Sequence, residues 1–160
     1  MAGWFAPRIS FSHYGERGMI DLLAWQPASR SLLVIELKTE LVDIGELLGT
    51  LDKKVRNASN VARGLGWEVG TVSSLLVIGD SHLNRRRVHA HTATFAAALP
   101  HRFVAIRKWL AAPAGSARGL MFFANRHPRQ HNERIAGVRR VRRVKPSRSA
   151  GESRMAAGRA

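Results

Sequence analysis

Two short apolar runs near the start of the chain contain charged residues where a buried element would hold only apolar ones. Met19–Trp25 reads MIDLLAW and is interrupted by Asp21, while Leu32–Lys38 reads LLVIELK and contains Glu36 and Lys38. Short apolar runs separated by a turn predict a hairpin of central strands buried on both faces, with a helix as the alternative for runs of this length. The charged groups are therefore expected inside or at the end of a buried sheet.

The register of this hairpin decides whether the three charged residues meet. If the turn centres between Ala28 and Ser29, Asp21 lies directly opposite Glu36, and opposed residues share a face about 5 Å apart at Cβ. Lys38 is two residues beyond Glu36 and points to the same face. This register predicts one cluster, whereas a slip of one residue weakens the alignment.

Two facing carboxylates in an apolar strand pair are costly unless a cation compensates them. Mg²⁺, or Mn²⁺ in its place, suits this role because it takes one or two carboxylates together with water and substrate phosphate. Lys38 would then orient a water or stabilise charge that develops on a phosphate. The set is suited to phosphodiester hydrolysis. The alternative is a salt bridge at a strand end, in which Lys38 neutralises Glu36.

The remaining sequence supplies the elements that must position this cluster. Apolar alternation and short apolar runs predict further strands, and 3.6-residue periodicity predicts two helices. The order of elements predicts an α/β fold with a mixed sheet flanked by helices. The strands are expected at Trp4–Ser12, Ser74–Gly79, Phe103–Leu110 and Leu120–Ala124, the helices at Val42–Arg63 and from Asn84 to Leu99, and a turn at His13–Gly18.

Charge is distributed unevenly along the 160 residues, whose formal net charge is +15. Nearly all the carboxylates lie in the first 80 residues, whereas the remainder is strongly basic. Clustered arginine favours a polyanionic partner, most often nucleic acid, with an arginine-rich coding bias as the alternative. Apolar residues are dense up to Ala124 and sparse beyond it. This predicts one folded domain over residues 1–124 and a basic, disordered tail over residues 125–160.

Basic residues in the predicted helices are candidate phosphate contacts. Lys53 and Arg56 lie on the helix that follows the motif, with a solvated helix face as the alternative. Arg85, Arg86 and Arg87 stand near the start of the next helix. Guanidinium groups pair well with phosphate, and such a cluster predicts strongly salt-dependent binding.

The chain has no cysteine, which excludes disulfides and cysteine-ligated metal sites and is compatible with a reducing cytoplasm. No stretch approaches the roughly 20 apolar residues of a membrane span. The first residues, MAGWFAPRIS, lack the pattern of a signal peptide. A cytoplasmic protein without membrane contact is therefore expected.

The segment GERGMIDLLAW…LLVIELKTE resembles the core motif of the PD-(D/E)xK nuclease superfamily over about residues 4–79. The superfamily pattern is an Asp on one strand, Glu-x-Lys on the next, and a helix that often carries another polar or basic residue. The resemblance implies a restriction-endonuclease-like fold in which Asp21 and Glu36 bind the metal. It further implies that the carbonyl of Leu37 adds a ligand and that Lys38 assists catalysis.

Glu16, five residues before Asp21, is a further candidate metal ligand, with a pairing to Arg17 or to solvent as the alternative. The chain departs from the superfamily pattern in two ways. Ile20 stands where a proline often precedes the Asp, and Met1–Ala6 is too short for the helix with which the superfamily normally begins.

Three functions follow as hypotheses. The first is a Mg²⁺-dependent nuclease, with DNA as the expected substrate. The second is a catalytically inactive, nuclease-like DNA-binding module, because the resemblance is closest to domains of bacterial regulatory proteins. The third, favoured only by the basic tail, is a structural protein that binds RNA or ribosomes. A homodimer is compatible with all three.

Overall fold

A computed structural model of the chain describes residues 3–124, so the predicted basic tail lies outside the described residues. The described part is an α/β fold with a five-stranded mixed sheet and four flanking helices. The elements are β1 (Trp4–His13), β2 (Glu16–Gln26), β3 (Ser31–Lys38), α1 (Ile44–Gly64), β4 (Thr71–Gly79), α2 (His82–Ala90), α3 (Thr92–Ala98), α4 (Phe103–Ala111) and β5 (Arg118–Phe123).

The strands follow one another across the sheet in chain order, β1-β2-β3-β4-β5. The first three form an antiparallel meander, and β4 and β5 continue the sheet in parallel. A parallel neighbour requires a crossover, and α1 supplies it between β3 and β4. Within the described residues, no helix is long and apolar enough to cross a membrane.

The hairpin of β2 and β3 has the predicted register. Leu22 pairs with Ile35 and Leu23 with Val34. Continued by one residue beyond Leu22, this register places Asp21 opposite Glu36.

The hairpin of β1 and β2 is kinked at the position of Asp21. Ile20 and Leu23, three positions apart, are both fully buried in the core layer under α1, although strict alternation would place them on opposite faces. The interruption falls at Asp21 and at Arg8, the residue across from it on β1, whose φ is 50°. Beyond the kink, the outer end of this hairpin contacts α1 through Glu16.

The predicted turn at His13–Gly18 is wrong in length. Tyr14 and Gly15 alone form it, both with positive φ, which matches the twist of the flanking strands. Glu16 is consequently the first residue of β2 rather than a loop residue.

Helix α1 covers one face of the sheet. It begins after Asp43, whose side chain accepts a hydrogen bond from the backbone N–H of Glu46 at 2.8 Å and thereby caps the helix. Residues at helical spacing then pack on the inner strands and exclude water from this layer. The buried apolar residues of this layer include Leu47, Leu51, Ala58 and Ala62 of α1 and Leu23, Leu32, Val34, Leu76 and Ile78 of the sheet.

The opposite face is covered by α4, so the predicted strand over Phe103–Leu110 is wrong. Ile106 is fully buried against Leu33 and Leu75, and Trp109 packs one helical turn further along. A short apolar run is compatible with a strand or a helix. Here the segment is helical and buries its apolar side chains against the second face of the sheet.

The predicted helix from Asn84 to Leu99 is divided into α2 and α3. The break falls at His91, whose φ and ψ of −115° and 32° are not helical. Phe95 of α3 is buried in the same hydrophobic cluster as the apolar residues of α1.

Candidate functional site

The carboxylate of Glu36 is the centre of a buried ionic network. Glu36 follows Val34 on the α1 side of β3 and is only 1% exposed, because α1 passes directly over it. Its Oε1 lies 3.0 Å from Nζ of Lys38, and its Oε2 is in direct contact with Nζ of Lys54 on α1. A buried carboxylate requires such partners, since an unpaired charge inside a protein is strongly destabilising.

Asp21 joins the same network from β2. Its Oδ1 lies 3.7 Å from Nζ of Lys54, and its Oδ2 accepts a hydrogen bond from the backbone N–H of Leu37 at 2.9 Å. The structure therefore brings the predicted residues Asp21, Glu36 and Lys38 together, with Lys54 between the two carboxylates.

The backbone of Leu37 faces Asp21, whereas its side chain is largely exposed. In an extended strand the N–H and C=O of one residue point toward the same neighbouring strand. The carbonyl of Leu37 is therefore directed to the side from which Asp21 approaches. The two carboxylates therefore meet at this end of β3, where the backbone of Leu37 is turned toward Asp21.

These donors fit a small divalent cation in chemical type, because all are oxygen atoms and two are charged. Residues 3–124 contain no group of three or more His, Cys, Asp and Glu side chains placed to hold a metal. A cation at Asp21 and Glu36 would therefore need the Leu37 carbonyl, water or substrate oxygens as further ligands. It would also require the ammonium group of Lys54 to move from its place between the carboxylates.

Lys54 was not among the residues predicted to form the site, although its position in the sequence indicates burial. Its position continues the spacing of Leu47, Leu51 and Ala58, the apolar stripe of α1, so helical periodicity places it on the buried face. A lysine on such a stripe is informative, because lysine is almost never buried unless paired.

Glu16, the further candidate ligand, binds α1 instead of joining the network. It accepts hydrogen bonds from Arg56 Nη2 at 2.8 Å and from Asn57 Nδ2 at 2.6 Å. The hydrogen bonds from Arg56 and then Asn57 hold the pKa of Glu16 below its ordinary value of 4.5. Arg56 is thus engaged with a carboxylate, while Lys53 has no ion-pair partner among residues 3–124.

The three arginines at positions 85–87 do not act as one clamp. Arg85 donates to both carboxylate oxygens of Asp80, at 2.6 and 2.9 Å, and this pairing lowers the pKa of Asp80 and raises that of Arg85. Arg87 donates to Glu40 at 3.1 Å. Arg86 is exposed and has no ion-pair partner within the described range. Of the three, Arg86 is the one left to contact phosphate without breaking an existing bond.

Asn84 fixes the loop that follows Lys38. It is fully buried, and its amide group donates to the carbonyls of Thr39 at 2.9 Å and Gly79 at 2.8 Å. Its Oδ1 accepts the backbone N–H of Leu41 at 3.0 Å. One side chain therefore joins the ends of β3 and β4 beside the ionic network.

A cavity of about 210 Å³ opens beside Lys38, between the loop after β3 and the first turns of α1. Its charged lining consists of one lysine and three carboxylates, so it favours cations over bare phosphate. The lining residues are Lys38, Glu40, Leu41, Val42, Asp43, Glu46, Leu47 and Thr50.

Comparison with protein-family models, with curated proteins and with solved structures finds no match for this chain. The geometry of the site and the sequence motif involve the same residues, Asp21, Glu36, Leu37 and Lys38.

Proposed function

We propose that the chain is a Mg²⁺- or Mn²⁺-dependent phosphodiesterase that cuts nucleic acid, with DNA as the substrate. The observation that carries this proposal is that Asp21 and Glu36 lie together at the end of β3. There the backbone of Leu37 bonds to Asp21, and Lys38 pairs with Glu36. The order of strands and helix around these residues agrees with the PD-(D/E)xK resemblance. A restriction-endonuclease-like fold is part of the proposal.

Each residue of the network has a role in this proposal. Asp21 and Glu36 bind the cation, and the carbonyl of Leu37 completes the protein ligands. When bound, the cation supplies charge neutralisation at the scissile phosphate and a more acidic water. Lys38, whose side chain is 40% exposed, faces the open end and donates to a phosphate oxygen.

The charges around the site explain why the cation is needed. Glu40, Asp43 and Glu46 line the cavity next to Lys38 and would repel a phosphodiester backbone. A divalent cation held by Asp21 and Glu36 would offset part of this local repulsion, and exposed basic residues such as Lys53 and Arg86 attract the flanking phosphates.

The test is cleavage of labelled linear, single-stranded and branched DNA in Mg²⁺ or Mn²⁺. We expect metal-dependent cutting by the wild type and a loss of about 100-fold or more in Asp21→Asn, Glu36→Gln and Lys38→Met. Glu68→Gln and Lys108→Met are matched controls, because these exposed residues lie outside the network, and both should cut at the wild-type rate. A folded wild type that cuts none of these substrates would contradict the proposal.

A second candidate is a nuclease-like module that binds DNA without cutting it. The network favours this candidate in one respect, because Lys38 and Lys54 balance the charges of Asp21 and Glu36 without any metal. Its signature is binding that weakens steeply with salt and is unchanged by chelator or by Asp21→Asn.

A further inference from the structure

We propose that the ammonium group of Lys54 occupies the position between Asp21 and Glu36 that a divalent cation would take. This group must move away when a divalent cation binds. Lys54 would thus set the metal affinity of the site rather than take part in phosphate chemistry. This inference rests on the proposed metal-dependent function and concerns the regulation of the same site.

The placement of the ammonium group supports this role. Lys54 is only 6% exposed, and its Nζ contacts Glu36 Oε2 while lying 3.7 Å from Asp21 Oδ1. These are the two side chains that any cation at this site must use. One ammonium group and one divalent cation compete for the same pair of oxygens, since both satisfy the same buried negative charge.

The backbone of Lys54 is held in place, so the exchange must occur in its side chain. Leu51 and Ala58, about one turn away on either side, are fully buried against the sheet and fix α1. Helical side chains lean toward the N-terminus of their helix. In that direction lies the cavity lined by Thr50 and Glu46, an acidic space that can receive the displaced ammonium group.

The number of charges at the site predicts how Lys54 changes the affinity for a divalent cation. With Lys38 and Lys54 both in place, the two carboxylates are already neutralised. A divalent cation therefore binds only after one lysine charge has been moved away, and that displacement opposes binding. Removal of the Lys54 charge should make binding tighter, while removal of the Glu36 charge should abolish it.

The experiment is a Mn²⁺ titration followed by the electron paramagnetic resonance signal of free Mn²⁺. We expect Lys54→Met, which keeps the length of the side chain, and Lys54→Gln, which keeps a hydrogen-bond donor, to lower the Mn²⁺ Kd by about tenfold. Lys108→Met is the control, since this exposed lysine of α4 has no ion pair within residues 3–124, and its Kd should equal that of the wild type.

A second measurement does not depend on activity. In chelator, the melting temperatures of both Lys54 variants should fall, because Glu36 loses its closest partner. Added Mg²⁺ should raise the melting temperatures of the two variants by more than it raises the melting temperature of the wild type. If Lys54→Met does not fold in chelator, the comparison is made with Lys54→Gln alone.

The outcomes separate the inference from the function on which it rests. The inference would be overturned if both Lys54 variants had an unchanged or higher Kd. The metal site itself would stand if the wild type bound Mn²⁺ and Glu36→Gln did not. Folded wild type and folded variants that all fail to bind Mn²⁺ would overturn the metal-dependent function itself. Binding in the Lys54 variants but not in the wild type would support the inference.

Discussion

Asp21 accepts the backbone N–H of Leu37 at 2.9 Å, so a side chain takes over where the regular ladder between β2 and β3 ends. The last ladder pair is Leu22 with Ile35, and beyond it the kinked β2 turns toward α1. The carboxylate thereby satisfies a donor that β2 no longer reaches. Asp21 has a structural part in addition to its proposed role as a ligand.

This dual part predicts different stabilities for two substitutions of Asp21. Asp21→Ala leaves the N–H of Leu37 without its acceptor and should lower the free energy of unfolding by about 1–2 kcal/mol. Asp21→Asn keeps an acceptor oxygen and should lower it by clearly less, although both variants lose cutting. Urea unfolding in chelator measures the difference, and equal destabilisation of the two variants would exclude the hydrogen bond as its source.

The pair of Glu36 and Lys54 predicts strong non-additivity. Each single substitution, Glu36→Gln or Lys54→Met, leaves a buried charge with a poorer partner and should lower the free energy of unfolding by about 3 kcal/mol. The double variant removes both charges and should be less destabilised than the sum of the singles by about 1–3 kcal/mol. A double-mutant cycle in chelator checks this, and simple additivity would show that the two groups do not interact.

Much of the site's position could be predicted from the sequence because local rules apply to it. The turn between β2 and β3 fixes the register, and the register fixes which side chains share a face. Asp21, Glu36 and Lys38 meet for this reason alone. The same local rules predicted α1, β4 and most of β1, since their apolar patterns are unambiguous in period.

The rest depends on tertiary contacts that one segment does not encode. Phe103–Ala111 is helical because the second face of the sheet needs a cover, and Ile106 provides it. Asn84 was predicted only as a helix start, because its three hydrogen bonds go to residues brought close by folding. Lys54 was not predicted as a site residue, although its place on the apolar stripe of α1 already indicated burial.

The close approach of Gly79 to Thr39 predicts that a methyl group is not tolerated there. A Cβ at Gly79 would lie 2.9 Å from the carbonyl oxygen of Thr39, the residue that follows Lys38. Gly79→Ala should therefore lower the free energy of unfolding by about 1–3 kcal/mol and slow cutting, because the end of β3 must shift.

Gly49 in α1 is the matched control, since a Cβ there meets nothing within 4 Å. Gly49→Ala should raise the free energy of unfolding by about 1 kcal/mol, as alanine loses less backbone entropy in a helix. Thermal unfolding of both variants provides the comparison. Equal stability of Gly79→Ala and the wild type would show that the ends of β3 and β4 can separate freely.

The link between Glu16 and α1 predicts acid sensitivity with a defined sign. Arg56 and Asn57 lower the pKa of Glu16 in the folded chain below its ordinary value of 4.5. Between the lowered pKa and 4.5, the unfolded chain binds more protons than the folded chain, so stability increases with pH. The contribution of Glu16 is therefore complete above its ordinary pKa and disappears as the pH falls through the lowered one.

Melting temperatures measured across this acid range should show the effect. The wild type should lose stability more steeply below pH 4.5 than Glu16→Gln, which has no carboxylate to protonate. Arg56→Met should flatten the wild-type curve in the same way, because it removes the largest cause of the lowered pKa. If Glu16→Gln and the wild type lost stability in parallel, the hairpin would be held on α1 by its apolar contacts and not by this carboxylate.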